Sequence, residues 1–136
     1  GHSLGSVIAF DVLWEFSHRF AEAGRVDLFL SLGSPLGLHF VRGQLLGAGE
    51  QGRRRYPTNI RRWRNLSAVG ELTTLDLPMA TGWREMLDLG LVREISDQRD
   101  LQTCFREGEV LNVHRCYGYM TNAVVGGTIA DWWCRR

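Results

Sequence analysis

The chain has 136 residues, enough for one domain with its own hydrophobic core. Hydrophobic residues make up 44% of it and the formal net charge is +1, a composition that indicates neither a nucleic-acid binder nor a membrane-surface protein. No apolar run has the length of a transmembrane helix, so we expect no membrane-spanning segment. The three cysteines have no C-x-x-C spacing, which argues against a disulfide framework or a zinc site and favours a reducing, cytoplasmic compartment.

The chain begins with the G-x-S-x-G stretch Gly1-His2-Ser3-Leu4-Gly5. In a nucleophile elbow, this stretch places the serine on a sharp turn between a buried strand and a helix. We therefore expect the Ser3 hydroxyl to be accessible at the start of a helix, with the Leu4 N–H facing a developing oxyanion. We also expect that a side chain in place of either glycine would collide with the turn, and that the His2 side chain points away from the pocket.

The later elements alternate between helix and strand. Residues 6–23 are apolar on more than one side, which predicts a helix enclosed between a sheet and other elements. Residues 26–32 predict a buried parallel strand, and Ser34 after it either forms a turn, which we favour, or faces the same crevice as Ser3. The remaining predictions are a long loop over 36–57, a strand over 59–66, a loop over 67–76, a helix over 79–91, a weak strand over 92–101 and a final helix over 119–133.

This order predicts a single α/β domain over residues 1–136, with a parallel sheet and helices on both faces. Ligands of such sheets bind beyond the carboxyl ends of the strands, which is where Ser3 is expected.

Acyl transfer by a serine needs a base that takes the hydroxyl proton and a carboxylate that orients the base. Glu71 and Asp76 lie in the loop after the strand predicted over 59–66, and His114 is the histidine that follows both acids. The order Ser, acid, His is typical of α/β-hydrolases. We favour His114 as the base over the alternative of a surface or capping histidine, and Glu71 as the acid with Asp76 as the alternative.

The whole chain resembles the C-terminal half of a bacterial α/β-hydrolase of the serine esterase/lipase type. The resemblance rests on the elbow and on three further stretches: Leu32-Gly33-Ser34-Pro35-Leu36-Gly37, Arg62-Trp63-Arg64-Asn65-Leu66-Ser67-Ala68-Val69-Gly70-Glu71 and His114-Arg115-Cys116-Tyr117-Gly118-Tyr119. It implies a partial α/β-hydrolase fold that lacks the strands before the nucleophile elbow. One departure concerns the acid, because Glu71 stands where the family usually has Asp.

The resemblance also implies a function, the hydrolysis of a small-molecule or lipid carboxylic ester without a metal or organic cofactor. Ser3 would attack the carbonyl, His114 would act first as base and then as acid, Glu71 would orient His114, and the Leu4 N–H would stabilise the oxyanion. Because the loop that supplies the second oxyanion donor precedes the elbow in that family, we expect a longer parent enzyme. We expect residues 1–136 alone to be poorly stable or inactive.

Three alternatives remain open from the sequence. The chain could be a non-catalytic remnant of an α/β-hydrolase, or an acyltransferase or thioesterase that uses the same triad. A third reading, a phosphate-binding module at a helix N-terminus, is disfavoured because the chain has neither a P-loop lysine nor a G-x-G-x-x-G motif.

Overall fold

A computed structural model describes residues 1–20, 24–71 and 78–135 of the chain. Its centre is a parallel sheet of three strands in the order β1 (Phe29–Leu32), β2 (Arg62–Ala68) and β3 (Glu94–Leu101). His2 forms a parallel bridge with Leu32 of β1, so the residues before Ser3 lie beside β1 on the side away from β2. The expected α/β class with a parallel sheet is confirmed.

The helices and a small hairpin surround this sheet. They are α1 (Leu4–Arg19), α2 (His39–Arg42), α3 (Met79–Gly82), α4 (Arg84–Asp88), the hairpin strands β4 (Arg106–Glu107) and β5 (Val110–Leu111), α5 (Cys116–Met120) and α6 (Ala123–Cys134). No helix in the described parts of the chain is both long enough and apolar enough to cross a membrane.

Several element boundaries differ from the sequence predictions. The helix predicted over 79–91 is two short helices that meet at Trp83. The helix predicted over 119–133 is interrupted before α6. There the Asn122 side chain accepts a hydrogen bond from Val124 N (2.9 Å) and caps the new helix. The loop predicted over 36–57 contains α2 and two 3₁₀ turns, Pro35–Gly37 and Gly52–Arg55. The strand predicted over 26–32 begins its ladder only at Phe29.

Two hydrophobic clusters cover the two faces of the sheet. The first contains Phe10 of α1, whose ring centroid lies 5.7 Å from that of Trp63 on β2 and 4.8 Å from that of Trp83. The second joins Leu66 of β2 to Tyr119 of α5 and Val125 of α6. Because successive strand residues point to opposite faces, the clusters lie on opposite sides of the sheet, and helices pack on both.

The surroundings of α1 differ from the prediction that the helix is enclosed on several sides. Its Phe10 face is buried, but one stripe of large apolar side chains is between 45% and 65% exposed among the described residues: Leu4, Ile8, Val12, Phe16 and Phe20. The i, i+4 spacing places the first four on one exposed face of the helix, and Phe20 is the residue at its C-terminal cap. The prediction was therefore wrong for this face; residues 21–23, which it also included, lie outside the described residues.

Candidate active site

The Ser3 backbone adopts a conformation that is rare for a residue with a side chain. Its φ is 51° and its ψ is −132°, and it is the one non-glycine residue with a positive φ in the described part of the chain. Such a conformation costs on the order of 1–3 kcal/mol and persists only where neighbouring contacts hold it. Here Ser3 N donates to Leu32 O (2.9 Å), and the Ser6 hydroxyl donates to Ser3 O (2.5 Å).

The two glycines of the elbow have different roles. A Cβ added at Gly1 would lie 2.7 Å from the Cα of Ser6, so the turn has no space for a side chain there. A Cβ at Gly5 would meet no described atom within 4 Å. The expectation of a steric requirement is thus correct for Gly1 and wrong for Gly5, because Gly5 already lies in the first turn of α1 and faces open space.

Ser3, His114 and Glu71 form a continuous hydrogen-bonded chain. Ser3 Oγ lies 2.8 Å from His114 Nε2, and His114 Nδ1 lies 2.7 Å from Glu71 Oε2. The Glu71 carboxylate can accept a hydrogen bond but cannot donate one, so the proton of this bond is on His114 Nδ1. His114 Nε2 is then free to accept from the serine hydroxyl. The Glu71 side chain is 1% exposed, whereas the His114 side chain is 44% exposed, so the imidazole lies where a substrate can reach it.

A tight turn at the end of β2 positions Glu71. The strand ends at Ala68, Gly70 takes a φ of +88°, and Glu71 N donates back to Ala68 O (3.2 Å). This reversal directs the carboxylate back over the end of the sheet, so the longer arm of glutamate does not move it out of reach of His114. Asp76, the alternative acid, lies outside the described residues.

Tyr119 holds the second carboxylate oxygen. Its hydroxyl donates to Glu71 Oε1 (2.7 Å) and accepts from Ala68 N (2.9 Å), and the residue is fully buried. Burial, followed by the hydrogen bond to Glu71, raises the pKa of Tyr119, so its hydroxyl remains a donor at neutral pH. Sequence reasoning assigned Tyr119 no role; the available signal was a tyrosine in the segment after His114, since a buried tyrosine hydroxyl needs a partner.

Gly33 provides the space in which these groups meet. Its φ is +49°, and an added Cβ would lie 2.6 Å from Glu71 Oε1 and 3.0 Å from the Tyr119 hydroxyl oxygen. A glycine at the end of β1 therefore permits the close approach of the acid and the tyrosine. Sequence reasoning interpreted this glycine only as the end of a strand.

His2 lies against the candidate base, a contact that the prediction of a side chain directed away from the pocket did not include. Its Nε2 donates to the His114 carbonyl oxygen (2.8 Å), and its ring centroid lies 5.1 Å from that of His114 and 5.5 Å from that of Tyr119. Burial lowers the pKa of His2, which keeps the ring neutral. The elbow is thereby connected directly to the loop that carries the base.

Two further predictions concern backbone and hydroxyl groups near Ser3. The Leu4 N–H, at the first residue of α1, has no acceptor among the described residues, and the positive end of the helix dipole lies there. Ser34 is buried; its Oγ accepts from Leu36 N (3.2 Å) and lies 2.6 Å from Ser6 Oγ. Ser34 therefore forms a turn, as favoured, and does not face the crevice.

The arrangement combines a serine hydroxyl, an imidazole nitrogen within hydrogen-bond distance of it, and a buried carboxylate that fixes the imidazole. These are the parts that nucleophilic acyl transfer requires. Among the described residues, no group of three His, Cys, Asp or Glu side chains is arranged to hold a metal ion.

No family model, curated protein or solved structure matches the chain. What the structure defines directly is the class, a mixed α/β fold with a three-stranded parallel sheet. Any assignment of function consequently rests on the geometry around Ser3.

Proposed function

We propose that the protein is a serine hydrolase of the α/β-hydrolase type that cleaves a carboxylic ester, as the whole catalytic unit or as part of a longer enzyme. One observation carries the proposal: the Ser3–His114–Glu71 hydrogen-bonded chain begins at the one strained non-glycine residue of the described chain. These residues are 111 and 43 positions apart, so the fold, and not local sequence, brings them together.

The proposed reaction has two halves. Ser3 Oγ attacks the ester carbonyl while its proton passes to His114 Nε2, and the Leu4 N–H stabilises the oxyanion. The bond between carbonyl carbon and alcohol oxygen then breaks, and the proton on Nε2 passes to that oxygen, which leaves as a neutral alcohol. In the second half, water attacks the acyl group on Ser3, gives one proton to Nε2, and releases the acid as the proton returns to Oγ.

Glu71 has a positioning role in this scheme. Its carboxylate holds the Nδ1 proton, fixes the tautomer and stabilises the imidazolium that forms in each half. Because Tyr119 donates to the other oxygen, hydrogen bonds fix both oxygens of the carboxylate.

The strain at Ser3 argues against a non-catalytic remnant. A rare backbone conformation and a buried carboxylate both cost stability, and such features cluster at sites where they serve chemistry. A chain released from catalytic selection has no physical reason to keep both, one beside the other.

The decisive experiment is covalent labelling of the full-length protein that carries residues 1–136 with a fluorophosphonate, which reacts with activated serines. We expect labelling at Ser3, no labelling of Ser3→Ala, and a rate at least about 10³-fold lower for His114→Ala, in line with the loss of a triad member. His18→Ala is the matched control, because His18 is an exposed histidine on α1 and should label at the wild-type rate. Labelling that persists in Ser3→Ala, or a wild-type rate in His114→Ala, would refute the triad.

The acid is tested by two amide variants of equal size change. We expect Glu71→Gln to slow labelling by roughly 10²–10⁴-fold, because an amide cannot hold His114 in the reactive tautomer. Asp76→Asn should leave the rate unchanged. The opposite pattern would assign the acid to Asp76.

A further inference from the structure

A cavity of about 650 Å³ adjoins the candidate base. The hairpin β4–β5 forms one wall and the Gly70–Glu71 turn forms another, with His114 also in the lining. Its volume is in the range of small-molecule sites, which is roughly 300–1,000 Å³.

The lining of this cavity is mainly apolar. Val110, Leu111 and Val113 supply its aliphatic side chains, and Val110 is 70% and Leu111 48% exposed. Large aliphatic side chains left open to solvent beside a reactive group are the kind of surface that a ligand covers.

The charged groups of the lining already have partners. Glu107 receives two hydrogen bonds from Arg115, the shorter of 2.8 Å, and one from Asn112 (3.2 Å), while the buried Glu71 carboxylate is held by His114 and Tyr119. The described residues of the lining include no arginine or lysine, so a carboxylate ligand would lose hydration there without gaining one of these cations. The cavity therefore fits an uncharged apolar group.

Its position relative to the triad decides which part of an ester it would hold. His114 and Glu71 line the cavity, whereas Ser3 and Leu4 do not. In ester cleavage, the proton on His114 passes to the oxygen of the departing alcohol, so the alcohol portion must lie beside the imidazole.

We propose that this cavity binds the alcohol portion of the substrate, and that the protein prefers esters of medium-length aliphatic alcohols. The assignment of the alcohol side rests on the proposed hydrolase function; the capacity to bind an apolar alcohol does not. During turnover, the neutral alcohol formed when the carbonyl–oxygen bond breaks would leave from this cavity.

The first test measures binding directly, with octan-1-ol as the probe and amide NMR of the full-length protein as the readout. We expect saturable shifts at Val110, Leu111 and Val113, and at least about tenfold weaker binding of octanoate, whose carboxylate must be desolvated. Leu111→Ala should weaken octan-1-ol binding by about fivefold. Ile129→Ala is the matched control, because Ile129 on α6 has an isomeric side chain, is 46% exposed and does not line the cavity.

The second test separates the alcohol side from the acyl side. Hexyl acetate and ethyl hexanoate are isomers, and each is used to slow fluorophosphonate labelling of Ser3. We expect hexyl acetate to protect at concentrations about tenfold lower than ethyl hexanoate, and Leu111→Ala to remove most of that difference. Equal protection by the isomers, or stronger protection by ethyl hexanoate, overturns the alcohol-side assignment.

The two tests fail separately. If octan-1-ol causes no saturable shift, or if Leu111→Ala and Ile129→Ala weaken its binding equally, the cavity is not the binding site, whatever Ser3 does. If the alcohol binds but Ser3 is never labelled, the proposed hydrolysis and the alcohol-side assignment both fall.

Discussion

At the scale of single residues, Gly33 shows how a residue without a side chain can make room for a buried carboxylate. It has a positive φ and also lies where a Cβ would overlap Glu71 Oε1. These two constraints can be separated experimentally, because Gly52 has a similar φ of +55° and no described atom within 4 Å of its Cβ position.

We predict that Gly33→Ala slows Ser3 labelling at least about tenfold and lowers the free energy of unfolding, because the methyl group must displace the Glu71 carboxylate. Gly52→Ala should carry only the conformational cost, about 1 kcal/mol or slightly more, and should label at the wild-type rate. Fluorophosphonate kinetics and urea unfolding of both variants measure this. Equal labelling of the two variants would show that the overlap at Gly33 is relieved without moving the acid.

Tyr119 is the second residue whose role appears only in three dimensions. We predict that Tyr119→Phe lowers the free energy of unfolding by roughly 1–3 kcal/mol, because Glu71 Oε1 and Ala68 N both lose a buried partner. It should also slow Ser3 labelling and change its pH profile, since the acid loses the donor that fixes it. Tyr117→Phe, on the same helix but 58% exposed, is the control and should alter neither measurement. A pure loss of stability with an unchanged pH profile would limit Tyr119 to a structural role.

At the scale of elements, α1 combines two different faces. The Phe10 face packs into a cluster of aromatic rings, whereas the stripe from Leu4 to Phe20 is open to solvent. The sequence shows both faces as apolar, and only the packing distinguishes the one that stabilises the fold.

We predict that Phe10→Ala lowers the free energy of unfolding by about 3–5 kcal/mol, as expected for a large buried ring. Ile8→Gln and Phe16→Gln should each change it by less than about 1 kcal/mol and should reduce the binding of a dye that reports exposed apolar surface. Chemical unfolding and dye fluorescence are the measurements. A large destabilisation by Ile8→Gln would mean that this stripe packs against other parts of the protein.

At the scale of the whole molecule, hydrogen bonds from His2 and Ser3 join the first residues to the loop before the last helices. His2 and His114 are 112 positions apart. The bond from His2 Nε2 to the His114 carbonyl oxygen requires a proton on Nε2. Burial lowers the pKa of His2 below its ordinary value of 6.5, so the folded state binds fewer protons than the unfolded state.

We predict that the free energy of unfolding contains a His2 contribution that is fully present above the unfolded-state pKa. It should decrease as the pH falls below about 6.5, and stop decreasing once the pH is below the folded-state pKa. The measurement is the difference between wild type and His2→Gln in urea unfolding over a series of pH values. A pH-independent difference for His2→Gln would show that burial of this ring has no effect on its protonation.

The local sequence was sufficient for those parts of the fold that depend on neighbouring residues. The short apolar run around Phe29 predicted a buried strand, because a continuous apolar segment bounded by turns fits a sheet covered on both faces. The strand around Trp63 was predicted from Ile60, Trp63 and Leu66, which stand among arginines. The break in the last helix at Asn122 was not predicted. The Asn122 side chain caps α6 and also donates from Nδ2 to Gln102 O (2.9 Å). The second contact joins residues 20 positions apart, so the local helical pattern does not show it.

By itself the sequence determined the residue types and their order: a serine between two glycines, acids after a strand, and a histidine after the acids. It did not determine that Glu71 turns back over the sheet, that His2 packs on His114, or that one side of α1 stays open. Those outcomes depend on contacts between residues that are tens of positions apart in the sequence. Such contacts form only once the sheet has brought the ends of β1 and β2 close to Ser3 and to the loop before α5. The tertiary structure therefore decided the site, because hydrogen bonds of 2.7 and 2.8 Å require a placement that no local pattern encodes.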